Sequence, residues 1–283
     1  MKTGGFFKSN WSYIIWFCFY FTISFLIVNL FTATIGGALL FTGVMYAVTL
    51  LFSLSPIGEA IIRMQTGAER VRTNEDSSYL IPLFDEVYRN AIEATPNISR
   101  NIRLYIINDY DVNAFAVGRN TIAVTRGAVE GFSEDNLKGV LAHEFGHIAY
   151  GDTKALLLTR VGNGFFCLAL GIVNIFIKIF DHFISRKKDN ELVLLVARML
   201  IGTCNFVIWV FLGIGSLIIC SNSRYSEFLA DGYADRLGFG RELIGALYLI
   251  RRISSEQRTK LKDRLMASHP FTDDRIERLE GLE

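Results

Sequence analysis

The stretch His143-Glu144-Phe145-Gly146-His147 has the residue types and spacing of hydrolytic metal chemistry. On an α-helix, residues i and i+4 stand one above the other on one face. Two imidazoles placed so can close on a single tetrahedral zinc ion. Glu144 sits about 100° round the helix from His143. It can reach a zinc-bound water without ligating the metal. Zinc lowers that water's pKa toward about 7, and the carboxylate takes its proton as the water attacks a peptide carbonyl. The chain has four histidines, His143, His147, His182 and His269, so a chance pairing at this spacing beside a glutamate is a rare event.

A catalytic zinc takes three protein ligands and keeps one position open. No third histidine follows His147 at the spacing of a one-helix ligand set; the run is Ile148-Ala149-Tyr150-Gly151-Asp152. The third ligand therefore comes from elsewhere, and Arg224-Tyr225-Ser226-Glu227-Phe228-Leu229-Ala230-Asp231 offers the best candidates. Glu227 can ligate, and Asp231, four residues on, can accept a hydrogen bond from the far nitrogen of a ligating imidazole and so fix its tautomer. Spacing alone leaves Glu227 open between a ligand and part of an exposed charged helix face. Asp152 is expected to support the end of the histidine-bearing helix.

That helix has a good start at Ser133, a capping residue followed by Glu134 and Asp135, and runs to about Tyr150. Before it, Arg103–Asn108, Val112–Val117 and Thr121–Val124 are short, β-branched and aromatic, and predict a small antiparallel sheet. Earlier still, an amphipathic helix around Ile61, Ile62 and Met64 and a second over Leu80–Ala94 are expected.

The rest of the chain is strongly apolar. From Ser9 to Gly58 there is no Asp, Glu, Lys or Arg. One crossing of a bilayer takes about 20 apolar residues, so this run predicts two spans, near Trp11–Phe31 and Ile35–Leu54, rather than a signal peptide. Val161–Ile177 and Met199–Ser223 add two more, giving about four. Four segments follow: a membrane hairpin over 1–58, catalytic sequence over 59–158, a second hydrophobic hairpin over 159–223, and further catalytic sequence over 224–283. Lys2 and Lys8 before the first span, and Arg63, Arg70 and Arg72 after the second, place both flanks on the cytoplasmic side. The basic loop Arg186-Lys187-Lys188 runs against that pattern. The net charge of +1 gives no encouragement to nucleic-acid binding. Cys18, Cys167, Cys204 and Cys220 lie in or beside apolar stretches and read as packing residues.

Taken in order, H-E-F-G-H, I-A-Y-G-D, a hydrophobic hairpin, S-R-Y-S-E-F-L-A-D, His269-Pro270 and Arg275-Ile276 resemble the HtpX-type membrane metalloproteases, of the gluzincin clan with the CAAX prenyl proteases and the Oma-type proteases. The resemblance implies an α+β membrane protein, with a mostly helical catalytic domain. It implies one zinc per chain on His143, His147 and Glu227, with Glu144 as general base. It also implies endoproteolysis of damaged or misassembled membrane proteins and unfolded proteins, from a bacterial cytoplasmic membrane with the active site facing the cytoplasm. Asn113-Ala114-Phe115 looks like the family's segment beside the active site, where a strand could pair with substrate; an ordinary core strand is the other reading. His269 either stabilises the oxyanion, as a histidine does in related enzymes, or caps the turn before Pro270. Arg224 reads as an anchor at the end of the fourth span, and His182 as a loop residue. The competing functions are a CAAX-type prenyl-protein protease, an inactive scaffold of the same fold, and, less well supported, a transporter.

Overall fold

The computed structural model describes residues 4–29, 32–72, 74–154, 223–256 and 272–282, with isolated positions between 157 and 213. The chain opens with two helices, α1 (Gly4–Asn29) and α2 (Ile35–Ser53), which pack on each other. Thr34 caps α2 by accepting from the Gly37 amide at 3.1 Å. The Tyr46 hydroxyl donates to the Phe17 carbonyl across the pair at 3.0 Å, and the rings of Phe17, Tyr20 and Phe21 surround it. Among the described residues, α2 is the one helix long and apolar enough to cross a membrane; α1 holds a shorter apolar part, Ile14–Leu26. Most of the expected third and fourth spans lies outside the described residues.

A corner at Leu54 and Ser55 leads into α3 (Pro56–Thr66), where Ser55 caps and Pro56 takes the first helical position. Gly58, Glu59 and Ile62 face inward; Ile57 and Met64 are exposed. The helix expected over Leu80–Ala94 starts earlier, as α4 (Asn74–Ala94): Glu75 and Asp76 supply an acidic first turn, and the helix continues through Pro82.

The sheet differs from the expected antiparallel one. Its strands are β1 (Glu69–Arg70), β2 (Arg103–Ile107), β3 (Ala114–Val117) and β4 (Thr121–Thr125), in the order β1-β2-β4-β3. β3 and β4 form an antiparallel hairpin, but β2 runs parallel to β4. The short turn after Val117 forces β4 back beside β3, and β4 then slots between β3 and β2. It is buried along its whole length, as a central strand must be. Alternating patterns do not distinguish parallel from antiparallel neighbours, and β1, at two residues, is too short to leave a pattern.

After α5 (Arg126–Gly131), α6 (Glu134–Tyr150) carries the H-E-x-x-H residues, with Ser133 accepting from the Asn136 amide at 3.2 Å and Gly151 closing the helix at φ 79°. Helices α7 (Ser223–Arg236), α8 (Gly240–Glu256) and α9 (Thr272–Glu280) complete the described chain. α6 is central and packs against α4, α7, α8 and β3. Leu80, Val87, Leu137, Leu141, Phe145, Leu243 and Leu247 belong to one core that also takes in Ile276 and Leu279 of α9. The polar sequence on either side of the second apolar region thus folds as one body.

Candidate metal centre and active site

Eleven residues of α6, from Leu137 to Ile148, are buried, the two histidines among them. A charged or imidazole side chain in such a helix must find partners inside the protein. His143 Nε2 and His147 Nε2 face each other at 3.0 Å. Glu227 reaches them from α7: Oε2 lies 3.4 Å from His143 Nε2, and Oε1 lies 3.5 Å from His147 Nε2. One donor atom from each of the three residues falls within 4.8 Å of the others. Gly146 makes this approach possible. A Cβ at that position would stand 2.7 Å from Ala230 Cα, so only glycine lets α7 come this close to α6.

The outer nitrogens decide the tautomers. His147 Nδ1 lies 2.8 Å from Asp152 Oδ2, and His143 Nδ1 lies 2.8 Å from Asp231 Oδ1. Ionised carboxylates only accept, so each Nδ1 carries the proton and donates it. Arg275 Nη2 is also 3.3 Å from His143 Nδ1, but a guanidinium has no acceptor, and the closer carboxylate takes the bond. Both Nε2 atoms then face inward, toward each other and toward the Glu227 oxygens. Once His147 gives up its second proton, three acceptors converge on one point, an arrangement that suits a cation. The donor set of two imidazoles and one carboxylate suits zinc.

Charge leads the same way. Glu144, Asp152, Glu227 and Asp231 are all buried here, facing one buried guanidinium, that of Arg275. Arg275 donates to Asp231 through Nε at 2.8 Å and Nη2 at 2.7 Å, and its Nη1 lies 2.9 Å from Glu227 Oε2. Burial works against the Arg275 charge, but Asp231 and Glu227 outweigh it and hold the guanidinium more firmly protonated than usual. For Asp231, burial works upward, and Arg275 with His143 pulls the carboxyl below its ordinary range.

Burial also lowers the His147 pKa, yet Asp152, Glu227 and Glu144 together push it up to about 9. That proton must leave when a cation binds. Apparent metal affinity is therefore expected to rise about tenfold per pH unit from near neutrality and level off above about 9. Without a bound cation the sign of the stability effect is opposite. The raised pKa contributes stability that is full below about 6.5 and is lost as pH rises through about 9. Chelator-competition titrations at several pH values check the first, and thermal midpoints of chelator-treated protein the second.

Of the residues singled out in the sequence, His143, Glu144, His147, Glu227 and Asp231 come together here. Asp152 does more than support the helix end: the turn after Gly151 brings its carboxylate back onto His147. Arg275 carried no assigned role. Its signal was a charged residue on the same stripe as Ile276 and Leu279, both buried. Ala114 and Phe115 begin in β3, at the sheet edge, with Ala114 buried and Phe115 packed against Ile62, Val117, Leu157 and Val161. The Asn113 amide donates to Thr125 Oγ1 at 3.0 Å. His269 and His182 lie outside the described residues, as does the Arg224 side chain.

Residues 84–283 match the profile of Peptidase family M48. A protein named Protease HtpX from Pseudomonas paraeruginosa (strain PA7) is 31% identical over 287 residues, covering 91% of this chain and 91% of that one. Protease HtpX from Shewanella oneidensis is 31% identical over 277 residues, covering 90% and 92%. Among solved structures, the crystal structure of S. mikatae Ste24p superposes with a TM-score of 0.49 at 18% identity; the alignment covers 91% of this chain and 61% of that one. On the extent of these sequence matches, the chain belongs to peptidase family M48, as an HtpX-like metalloprotease.

Proposed function

We propose that the chain is a zinc-dependent endopeptidase embedded in a bacterial cytoplasmic membrane, with its active site facing the cytoplasm. It cuts damaged or misassembled membrane proteins at internal peptide bonds, as part of protein quality control under stress. The observation that carries this reading is the convergence of the His143, His147 and Glu227 donors within 4.8 Å, all buried.

His143, His147 and Glu227 would hold the ion. When bound, zinc supplies Lewis acidity to the water and to the peptide carbonyl. Asp231 and Asp152 hold the two imidazoles by their Nδ1 protons, so the Nε2 atoms keep their direction. Glu144, beside His143 on α6, takes the proton of the attacking water on its carboxylate and passes it to the leaving amide nitrogen. Burial of the whole group excludes bulk water and strengthens each of these contacts. His269 remains a candidate for stabilising the oxyanion. The substrate strand is assigned to the outer edge of β3, beginning at Asn113, Ala114 and Phe115; the position of β3 at the sheet edge and its packing against α6 support this.

For the membrane, α2 supplies the support. Leu40, Phe41, Val44, Val48 and Leu51 project from it without protein cover, which lipid would provide. We retain four spans, the pair between α6 and α7 included, with 59–158 and 224–283 forming the catalytic body.

The test uses the full chain in bilayers with zinc and a misassembled membrane protein as substrate. Internal fragments are expected, lost on chelation and recovered on adding zinc. Release of only a C-terminal tripeptide from a prenylated peptide would favour the CAAX-type reading. Absence of any cleavage would favour a scaffold.

A further inference from the structure

Glu59 is a buried carboxylate on α3, far in sequence from the metal centre. Its Oε1 accepts from the Arg119 amide at 2.8 Å, and its Oε2 accepts from Thr121 Oγ1 at 3.0 Å. Arg63, one helical turn on, lies 3.6 Å from Oε2, donates to Thr121 Oγ1 at 2.9 Å and covers the Tyr105 ring. A buried charge gripped by a backbone amide and a hydroxyl of one turn fixes that turn.

The turn is shaped around the carboxylate. Gly118 has φ +64°, a backbone conformation that is strained for any residue with a side chain, and a Cβ there would press on the Glu59 carboxylate and displace it. Beyond the turn the contacts continue toward the site. The Gly118 carbonyl accepts from Thr153 Oγ1 at 2.6 Å, and the Thr153 amide donates to Asp152 Oδ1 at 2.9 Å. The other Asp152 oxygen receives the His147 Nδ1 proton at 2.8 Å. On the far side, α3 follows α2 after only Leu54 and Ser55. A continuous chain of short contacts therefore runs from the corner of the α2–α3 pair to one imidazole.

We propose that Glu59 is a positioning residue for the metal centre, acting through the β3–β4 turn and Thr153 on Asp152 and so on the direction of the His147 ring. This rests on the reading of His143, His147 and Glu227 as metal ligands. Glu59 touches neither metal nor substrate. It sets the place of Gly118, which sets Thr153, which sets the carboxylate that holds His147. The same turn ends β3, so the substrate edge and the imidazole are registered to each other by one buried charge, and both are registered to the end of α2.

The test is cobalt binding by the full-length protein in detergent, read by chelator competition and by the d–d absorption of the bound ion, which reports ligand geometry without catalysis. Removing an outer partner of a metal-bound histidine costs about 10–100-fold in affinity. Glu59→Ala and Thr153→Val, each two or more contacts from the ring, are expected to lose about tenfold and to change the absorption bands. Glu59→Gln keeps an acceptor for the Arg119 amide, and Thr153→Ser keeps the hydroxyl, so both are expected to recover affinity and spectrum. If Glu59→Ala does not fold, Thr153→Val decides alone. Wild-type affinity and bands in Thr153→Val, with only a lower thermal midpoint, would overturn the proposal and leave Glu59 a structural bolt. Failure of the wild-type chain to bind cobalt would instead remove the metal-centre reading, and this proposal with it.

Discussion

Replacing Glu144 by glutamine is expected to cut peptide-bond hydrolysis by about 10²–10⁴-fold, the usual worth of a positioned general base, while leaving metal content unchanged. Glu144 lies on α6 between the two histidines, is 1% exposed, and is not one of the three residues whose donors converge. Glutamine keeps its shape and its acceptor oxygen but cannot take a proton at pH 7. Turnover of a fluorogenic peptide and metal analysis on the same sample separate the possibilities. Hydrolysis at the wild-type rate would remove Glu144 as the base. Loss of metal together with activity would make it a ligand.

The second large effect is expected at Arg275. Changing it to methionine, which is similar in length and uncharged, leaves Asp231 and Glu227 buried without their cationic partner. Removing one member of a buried ion pair costs about 3–5 kcal/mol. Arg275 is 2% exposed and donates to Asp231 through two nitrogens, so solvent does not screen the loss. A bound dication beside Glu227 would partly replace the missing charge. The destabilisation is therefore expected to be larger in chelator-treated protein than in zinc-loaded protein. Denaturant unfolding under both conditions measures it. A difference below about 1 kcal/mol, the range of a surface pair, would mean that Arg275 does not balance the cluster.

These two residues differ in how well the sequence announces them. Glu144 was legible because its neighbours stand at i and i+4 on a capped helix, and the helix period alone places the imidazoles together. Glu227 and Asp231 were half legible. Their spacing is equally that of a solvated helix face, and only the close approach of α7 to α6 at Gly146 puts them over the imidazoles. Arg275 was illegible as a site residue because Asp231, its partner, lies 44 positions away and the contact exists only once α9 docks. Asp152 was only partly read for a related reason: its contact with His147 depends on the turn after Gly151, which folds the chain back onto the helix it has just left.

The fold divides the same way. The ends of α6 and α2 were readable from Ser133 and from the limits of the apolar run. The antiparallel hairpin of β3 and β4 was readable as two short β-branched and aromatic runs, separated by only Gly118-Arg119-Asn120. The parallel pairing of β2 with β4 was not, because strand alternation carries no direction, and β4's insertion is decided by burial on both faces. Glu59 reads in the sequence as the first charge after a long apolar run, a place where a solvated residue is expected. Its burial follows from α3 packing onto the 118–121 turn.

Zinc K-edge absorption on the purified full-length protein, with metal content on the same sample, is the decisive measurement. One zinc per chain is expected, with two imidazole nitrogens and a carboxylate oxygen at about 2.0–2.2 Å, and with the nitrogen shell reduced in His147→Ala. A protein without stoichiometric zinc, a shell containing sulfur, or a nitrogen shell unchanged in His147→Ala would contradict the assignment of His143, His147 and Glu227 as its ligands.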